Sequence, residues 1–293
     1  NSLSITMKRT ATQVKSGTFR KRRERFFEQL GKKAAIIPAA NLVTHHADCH
    51  YPFRQNSDFW YLTGFDEPDA VALFLPHRSV NERFVLFVLP KDPLMEVWTG
   101  LRMGTDGAIS VLGADKAYSI EEFPDRLEEL ITDADGVAFR MGKSSAIESI
   151  VLRVLSKHHD EIQRSGRSPL SIEDPSNLLH QLRLKKDPLE IDRLREAARI
   201  SAEAHELARE FIRPGITEKR IQALMENYFL DNGARGPAYG SIVASGQNAC
   251  ILHYTENKDI LREGDLLLID AGCSLNDYYN GDITRTYPIN GKF

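Results

Sequence analysis

Two aspartates have the residue type and spacing that point most directly to chemistry. Asp270 ends the apolar run Leu266-Leu267-Leu268-Ile269, and Asp282 follows Asn280-Gly281 twelve residues later. A strand that apolar is expected to be buried on both faces, and a lone carboxylate at its end cannot stay ionised, because desolvation costs on the order of several kcal/mol. It must meet a cation, a set of N–H donors or a metal. A hairpin between the two runs brings both carboxylates to one end of a sheet, where two hard oxygen ligands repel unless a divalent ion lies between them. The plainer alternative is that each aspartate caps a turn or pairs with Arg285. His253, within residues 250–256 (CILHYTE), reads either as a satisfied core histidine or as a neutral imidazole that exchanges protons at the rim of such a site. Tyr239 and Thr284 are candidate donors to the ligating carboxylates, or ordinary strand residues.

Other groupings carry less. Residues 51–65 (YPFRQNSDFWYLTGF) are dense in aromatics with a single Arg54 and no alternation with Lys or Arg, which favours core or interface over a base-stacking surface. His45, His46, Cys49 and His50 resemble a soft-metal set on paper, but four ligands so close in an irregular segment rarely close a tetrahedron. The sequence contains no GxGxxG, P-loop, HExxH or GxSxG motif.

The elements that must hold the aspartates fall in the second part of the chain. Asp187 is a good N-cap, Pro188 suits the first helical position, and Glu190 completes a capping box. Ile191, Leu194, Ala198, Ala202 and His205 are expected on one face of that helix, which Pro214-Gly215 stops. Thr217 caps a second helix with Ile221, Leu224, Met225 and Tyr228 on its apolar side, ended by Asn232-Gly233. Residues 241–244, 250–254, 266–269 and 283–287 then read as short strands of an antiparallel meander, an α+β arrangement. Upstream, residues 34–38, 70–76, 84–90 and 136–139 read as strands around a helix at 124–131, an α/β domain. Gly, Pro and Ser cluster at 164–176, which places the boundary between domains 1–172 and 173–293.

Composition bounds the rest. The 293 residues suffice for two domains, and a net charge of −3 gives no electrostatic reason to expect nucleic-acid binding. The longest apolar runs fall far short of the roughly 20 residues that a membrane span needs. Three cysteines suit neither a disulfide framework nor a CxxC site, and favour a reducing compartment. Residues 1–23 hold seven Lys or Arg and no acid, which reads as an organelle transit peptide or, more simply, as a tail running into a basic helix that buries Phe26, Phe27 and Leu30. The start lies upstream of Asn1 or at Met7.

Residues 51–67 (YPFRQNSDFWYLTGFDE), 96–100 (EVWTG), 250–257 (CILHYTEN), 268–273 (LIDAGC) and 281–293 (GDITRTYPINGKF) together closely resemble the Xaa-Pro aminopeptidase (aminopeptidase P) family, in family order from about residue 20 to the end. The resemblance implies a creatinase-like α/β N-terminal domain and a "pita-bread" α+β catalytic domain. It also implies a site of two divalent ions, usually manganese, and peptide substrates with proline second. Asp270 and Asp282 match the family's two metal-binding aspartates, and His253 matches the histidine that contacts substrate and shuttles protons. Tyr239 falls near the metal shell. Trp98 falls where the N-terminal domain of a neighbouring subunit walls the active site, so a homo-oligomer is expected; the cysteine usage and the basic start place it in the cytoplasm or an organelle matrix. Prolidase shares the fold and metals, but the N-terminal strings argue against it; an inactive, peptide-binding relative is the non-enzymatic rival. The interval from Asp270 to Asp282 is one residue longer than the family pattern, which a bulge or longer turn would absorb; otherwise Asp282 would point to the wrong face. The family's metal-binding histidine and two glutamates would lie beyond Phe293, so the chain is expected to be a fragment of the family's full length.

Overall fold

A computed structural model describes residues 16–165 and 170–292. Met7 and the basic residues Lys8, Arg9 and Lys15, together with part of the expected linker, lie outside the described residues. The chain divides into two compact units, one up to Lys185 and the other from Lys186.

The first unit runs α1 (Ser16–Leu30), β1 (Ala34–Pro38), β2 (Thr44–His46), β3 (Cys49–His50), α2 (Ser57–Thr63), β4 (Val71–Phe74) and β5 (Phe84–Val88). It continues through α3 (Pro93–Thr99), α4 (Gly104–Ser110), β6 (Lys116–Ser119), α5 (Phe123–Ile131), β7 (Gly136–Phe139), α6 (Ser145–Ser165), β8 (Ser171–Glu173) and α7 (Ser176–Leu184). Its mixed sheet has the order β6-β5-β4-β1-β7-β8, with β4 and β5 forming the antiparallel pair that their apolar runs predict. Strand period divides the core cleanly. Ala35, Ile37, Ala72, Phe74, Leu86 and Val88 face α1, α2 and α7, while Ile36, Leu73, Val85 and Phe87 face α5 and α6. Phe59, Tyr61 and Phe65 of the aromatic stretch are core residues.

Two expectations change here. The buried stripe of α1 includes Arg22 and Arg23, only 3% and 5% exposed, besides Phe26 and Leu30. Arg22 lies over the Tyr61 ring at 4.3 Å and Arg23 over the Phe84 ring at 4.1 Å, and Arg23 Nη1 donates to the Leu62 carbonyl at 3.1 Å. Burial lowers the Arg23 pKa to about 10, with Asp115 opposing the shift. A guanidinium whose stem packs and whose head meets rings and carbonyls can thus occupy an apolar helical position. The division between units also falls past residue 172, because α7 inserts Leu179 and Leu182 into the first core.

The second unit holds α8 (Pro188–Phe211), α9 (Glu218–Asp231), β9 (Gly236–Pro237), β10 (Ile242–Ser245), β11 (Leu266–Asp270), β12 (Cys273–Ser274) and β13 (Thr284–Pro288). The capping box of α8 forms as its residues predict: Glu190 N donates to Asp187 Oδ1, and Asp187 N to Glu190 Oε2, each at 2.9 Å. Its buried face is Ala197, Ile200, Ser201, Ala204, His205 and Ala208; of the expected stripe His205 is buried and Leu194 half-buried, whereas Ile191, Ala198 and Ala202 are exposed. Residues 250–254 are not a strand. They leave a 3₁₀ turn (Gly246–Cys250) and continue irregularly, while buried Asn257 takes the free edge of β10: its Oδ1 accepts from Val243 N at 2.9 Å and its Nδ2 donates to the Ser241 carbonyl at 2.8 Å. Among the described residues no helix is long and apolar enough to cross a membrane.

Candidate functional site

Strand β11 is the centre of an antiparallel three-stranded sheet, β10-β11-β13, and Asp270 at its end pairs in register with Ile242 on one side and Thr284 on the other. Asp282 lies two residues before the start of β13. The chain between the aspartates leaves the sheet, pairs β12 with β9, turns at residues 275–279 and returns through the Ser274–Asn280 bridge. Leu275 N donates to the Tyr279 carbonyl and Gly281 N to the Cys273 carbonyl, with Tyr278 at φ +66° in the turn.

Small residues let this loop settle on α8. Ser201 Oγ accepts from Cys273 N at 3.0 Å and donates to the Ala197 carbonyl at 2.7 Å. A Cβ built on Gly281 would stand 2.2 Å from Ser201 Oγ, and one on Gly272 would stand 2.0 Å from the Gly281 carbonyl oxygen. Backbone therefore crosses backbone at the point where the two aspartates must converge. Buried His205 donates Nε2–H to the Ala271 carbonyl at 3.0 Å, and burial pushes its pKa down, so the imidazole is neutral. Arg193 clamps the turn through Asp277 at 2.6 Å, and Tyr279 donates to Glu190 at 3.0 Å.

The result is one hydroxyl between two carboxylates. Tyr239 Oη lies 2.5 Å from Asp270 Oδ1 and 3.1 Å from Asp282 Oδ1. Burial first, then the Asp270 hydrogen bond and both negative charges, push the Tyr239 pKa far above the phenol range, so it remains a donor. A hydroxyl carries one proton and can satisfy one of these oxygens at a time. The second oxygen faces it with lone pairs, which a cation would relieve. Arg285 is not that cation: its guanidinium donates to the Thr284 carbonyl at 2.7 Å. Two hard oxygen donors, one half-buried at Asp270 and one exposed at Asp282, fit a divalent ion of the magnesium or manganese class as part of a larger ligand set. Among the described residues no group of three His, Cys, Asp or Glu gathers for a metal.

The other candidates lie elsewhere or make no bond to the pair. His253 is exposed on the turn that follows the 3₁₀ segment. Thr284 is an exposed strand residue opposite Asp270. Trp98 stands 85% exposed on α3 in the first unit. His45, His46, Cys49 and His50 lie exposed on the β2–β3 hairpin, where the His45 ring meets Tyr51 edge-on, with ring centres 4.4 Å apart. Ser201, Gly272 and Glu218 escaped the sequence reading, and His205 entered it only as part of the α8 stripe. Only the position of Glu218, beside the Thr217 cap, carried a local signal, and that signal reads as ordinary helix-dipole compensation.

Residues 19–138 match the aminopeptidase P N-terminal domain, and residues 192–293 match metallopeptidase family M24. The chain is 42% identical over 283 residues to Xaa-Pro aminopeptidase of Escherichia coli, covering 96% of this chain and 64% of that protein. It is 40% identical to the Xaa-Pro aminopeptidase of Haemophilus influenzae, covering 94% of this chain and 61% of the relative. It superposes on aminopeptidase PepP of Pseudomonas aeruginosa with a TM-score of 0.90 at 41% identity, over 96% of this chain and 63% of that one. The chain thus spans a little under two thirds of the relatives it matches. Both models match in order and the fold is shared: the first part of the chain belongs with the aminopeptidase P N-terminal domain and the second with metallopeptidase family M24, an α/β domain followed by pita-bread structure.

Proposed function

We propose that this protein is a metal-dependent aminopeptidase that releases the first residue of peptides whose second residue is proline. The observation that carries the reading is the Tyr239 hydroxyl held between Asp270 and Asp282. The two aspartates would supply ligands to a pair of divalent ions, manganese in our reading, which when bound provides Lewis-acid polarisation of the scissile carbonyl and a nucleophile at neutral pH. Tyr239 keeps the two carboxylate oxygens turned toward one another, and Thr284 borders the pair across the ladder. His253, exposed on its turn, would give or take a proton at the leaving prolyl nitrogen. The bond before proline has no N–H to recognise, so selectivity must come from the ring and the free amine rather than from strand-like backbone pairing. Exposed Cys49 and Cys250 support a reducing compartment, the cytoplasm or an organelle matrix.

The test is release of the first residue from an Xaa-Pro tripeptide with manganese present, beside a matched Xaa-Ala peptide and an Xaa-Pro dipeptide. Asp282→Ala is expected to lower kcat/KM by about a thousandfold or more. Equal rates in the two proteins would discard the metal assignment, and cleavage of the dipeptide alone would make the protein a dipeptidase.

A second copy of the chain is the partner we expect at Trp98. Leu94, Val97 and Leu101 stand exposed beside it on and just after α3, an apolar patch of the kind that marks an association surface. Trp98→Ala is therefore expected to raise KM roughly tenfold by removing a wall of the neighbouring site. Its melting temperature should stay within about 1 °C of the parent, because so exposed a ring contributes little to the monomer's core. An unchanged KM in steady-state assays would remove this role.

A further inference from the structure

We propose that Glu218 is a positioning residue: its carboxylate ties both flanks of the loop at 245–259 to the start of α9 and so fixes where His253 stands. The inference rests on the role given to His253 above. Glu218 is 0% exposed. Its Oε1 accepts from Ser245 N at 2.7 Å, Ser245 Oγ at 2.7 Å and Asn248 Nδ2 at 3.2 Å. Its Oε2 accepts from the Tyr254 hydroxyl at 2.8 Å and from Asp259 N at 2.9 Å. A carboxylate offers about four lone-pair positions, so these donors saturate it.

Every one of those donors belongs to the loop or its two ends, on both sides of His253 in the chain. Backbone completes the closure, as Glu218 N donates to the Asp259 carbonyl at 2.9 Å. Burial alone would raise the carboxyl's pKa; the amides of Ser245 and Asp259, with the Ser245 and Tyr254 hydroxyls, outweigh it and hold the group below the ordinary carboxylate range. Asn257 holds the far side of the loop to β10 and Gln222, and Tyr254 packs on Ile242 and Ala244. Ile251 and Leu252 are exposed, and the buried anchors after His253 are Tyr254, which itself donates to Glu218, and Asn257. The residue beside the imidazole is thus pinned by the very carboxylate that holds the loop's other end.

Glu218→Gln keeps the shape but turns an NH₂ toward N–H or O–H donors that need an acceptor. We expect backbone amides of 245–259 to exchange with deuterium about thirtyfold faster, while those of Leu267 and Ile269 in β11 keep their protection. We also expect kcat for the Xaa-Pro tripeptide to fall roughly tenfold with KM within twofold, the pattern of a misplaced group rather than lost binding. Unchanged exchange in the loop, or equal acceleration in β11, would overturn the proposal. Tyr254→Phe, which deletes one hydroxyl and no charge, serves if the glutamine variant does not fold; it should give about threefold changes in the same two readouts. His253→Ala separates the two layers of the argument. Full activity there removes the role of the histidine, whereas lost activity there beside unchanged kcat in Glu218→Gln removes the positioning.

Discussion

Gly272→Ala is expected to cost about 3 kcal/mol or more of stability, the largest effect of any single methyl group in the second unit. The added carbon would stand 2.0 Å from the Gly281 carbonyl oxygen and 2.8 Å from Asp282 N, both backbone atoms, so no side chain can rotate aside. Relief requires the segment carrying Asp282 to move off the one that follows Asp270. That segment is itself seated on α8, with Gly281 against Ser201 and Ala197. The strain therefore has no soft neighbour into which it can relax. Gly215→Ala provides the contrast: φ is +88° there and nothing lies within 4 Å of the new carbon, so the penalty is conformational and about 1 kcal/mol. Urea unfolding of both variants checks the ranking, and a Gly272→Ala midpoint no lower than that of Gly215→Ala would contradict the crossing.

Asp270→Asn separates the two roles of the aspartate pair. Without metal, the variant loses one of two like charges gathered around the Tyr239 hydroxyl and keeps an oxygen to accept from it. The protein is expected to become more stable by about 1 kcal/mol. With manganese the sign reverses. An ion that binds only the folded chain stabilises it by about 2.7 kcal/mol at a hundredfold excess over Kd, and the variant should forfeit nearly all of that gain. Melting curves with and without millimolar manganese measure both halves of the expectation. A parent protein that melts at the same temperature in both conditions would remove the cation from the account. So would a variant that still responds fully.

Much of the architecture is legible from local chemistry. Asp187, Pro188 and Glu190 announce the start of α8, because a cap needs only a side-chain acceptor, a fixed φ and a carboxylate within four residues. The runs at 34–38, 70–76 and 84–90 become β1, β4 and β5 because their alternate residues suit a sheet covered on both faces. Asp270 stands out for a similarly local reason, a charge ending an apolar strand, although β11 buries Leu267 and Ile269 on one face only and leaves Leu266 exposed on the other.

What tertiary structure alone decided has the opposite character. Where α8 meets the returning backbone of residues 271–281 it presents Ala197 and Ser201, because that backbone comes too close there for anything bigger. The segment at 250–254 is apolar enough for a strand, yet Asn257 occupies the edge it would have joined. Arg22 and Arg23 are buried only because the Tyr61 and Phe84 rings, and carbonyls far along the chain, arrive to receive them. Glu218 reads as a helix-start acid until Ser245, Tyr254 and Asp259, all at least 27 residues away, close over it. Caps and strand alternation are settled by neighbours in the chain, whose geometry is fixed before folding. Burial of a small face or a charge depends on which distant donors and backbones arrive, and that is known only once the units have packed.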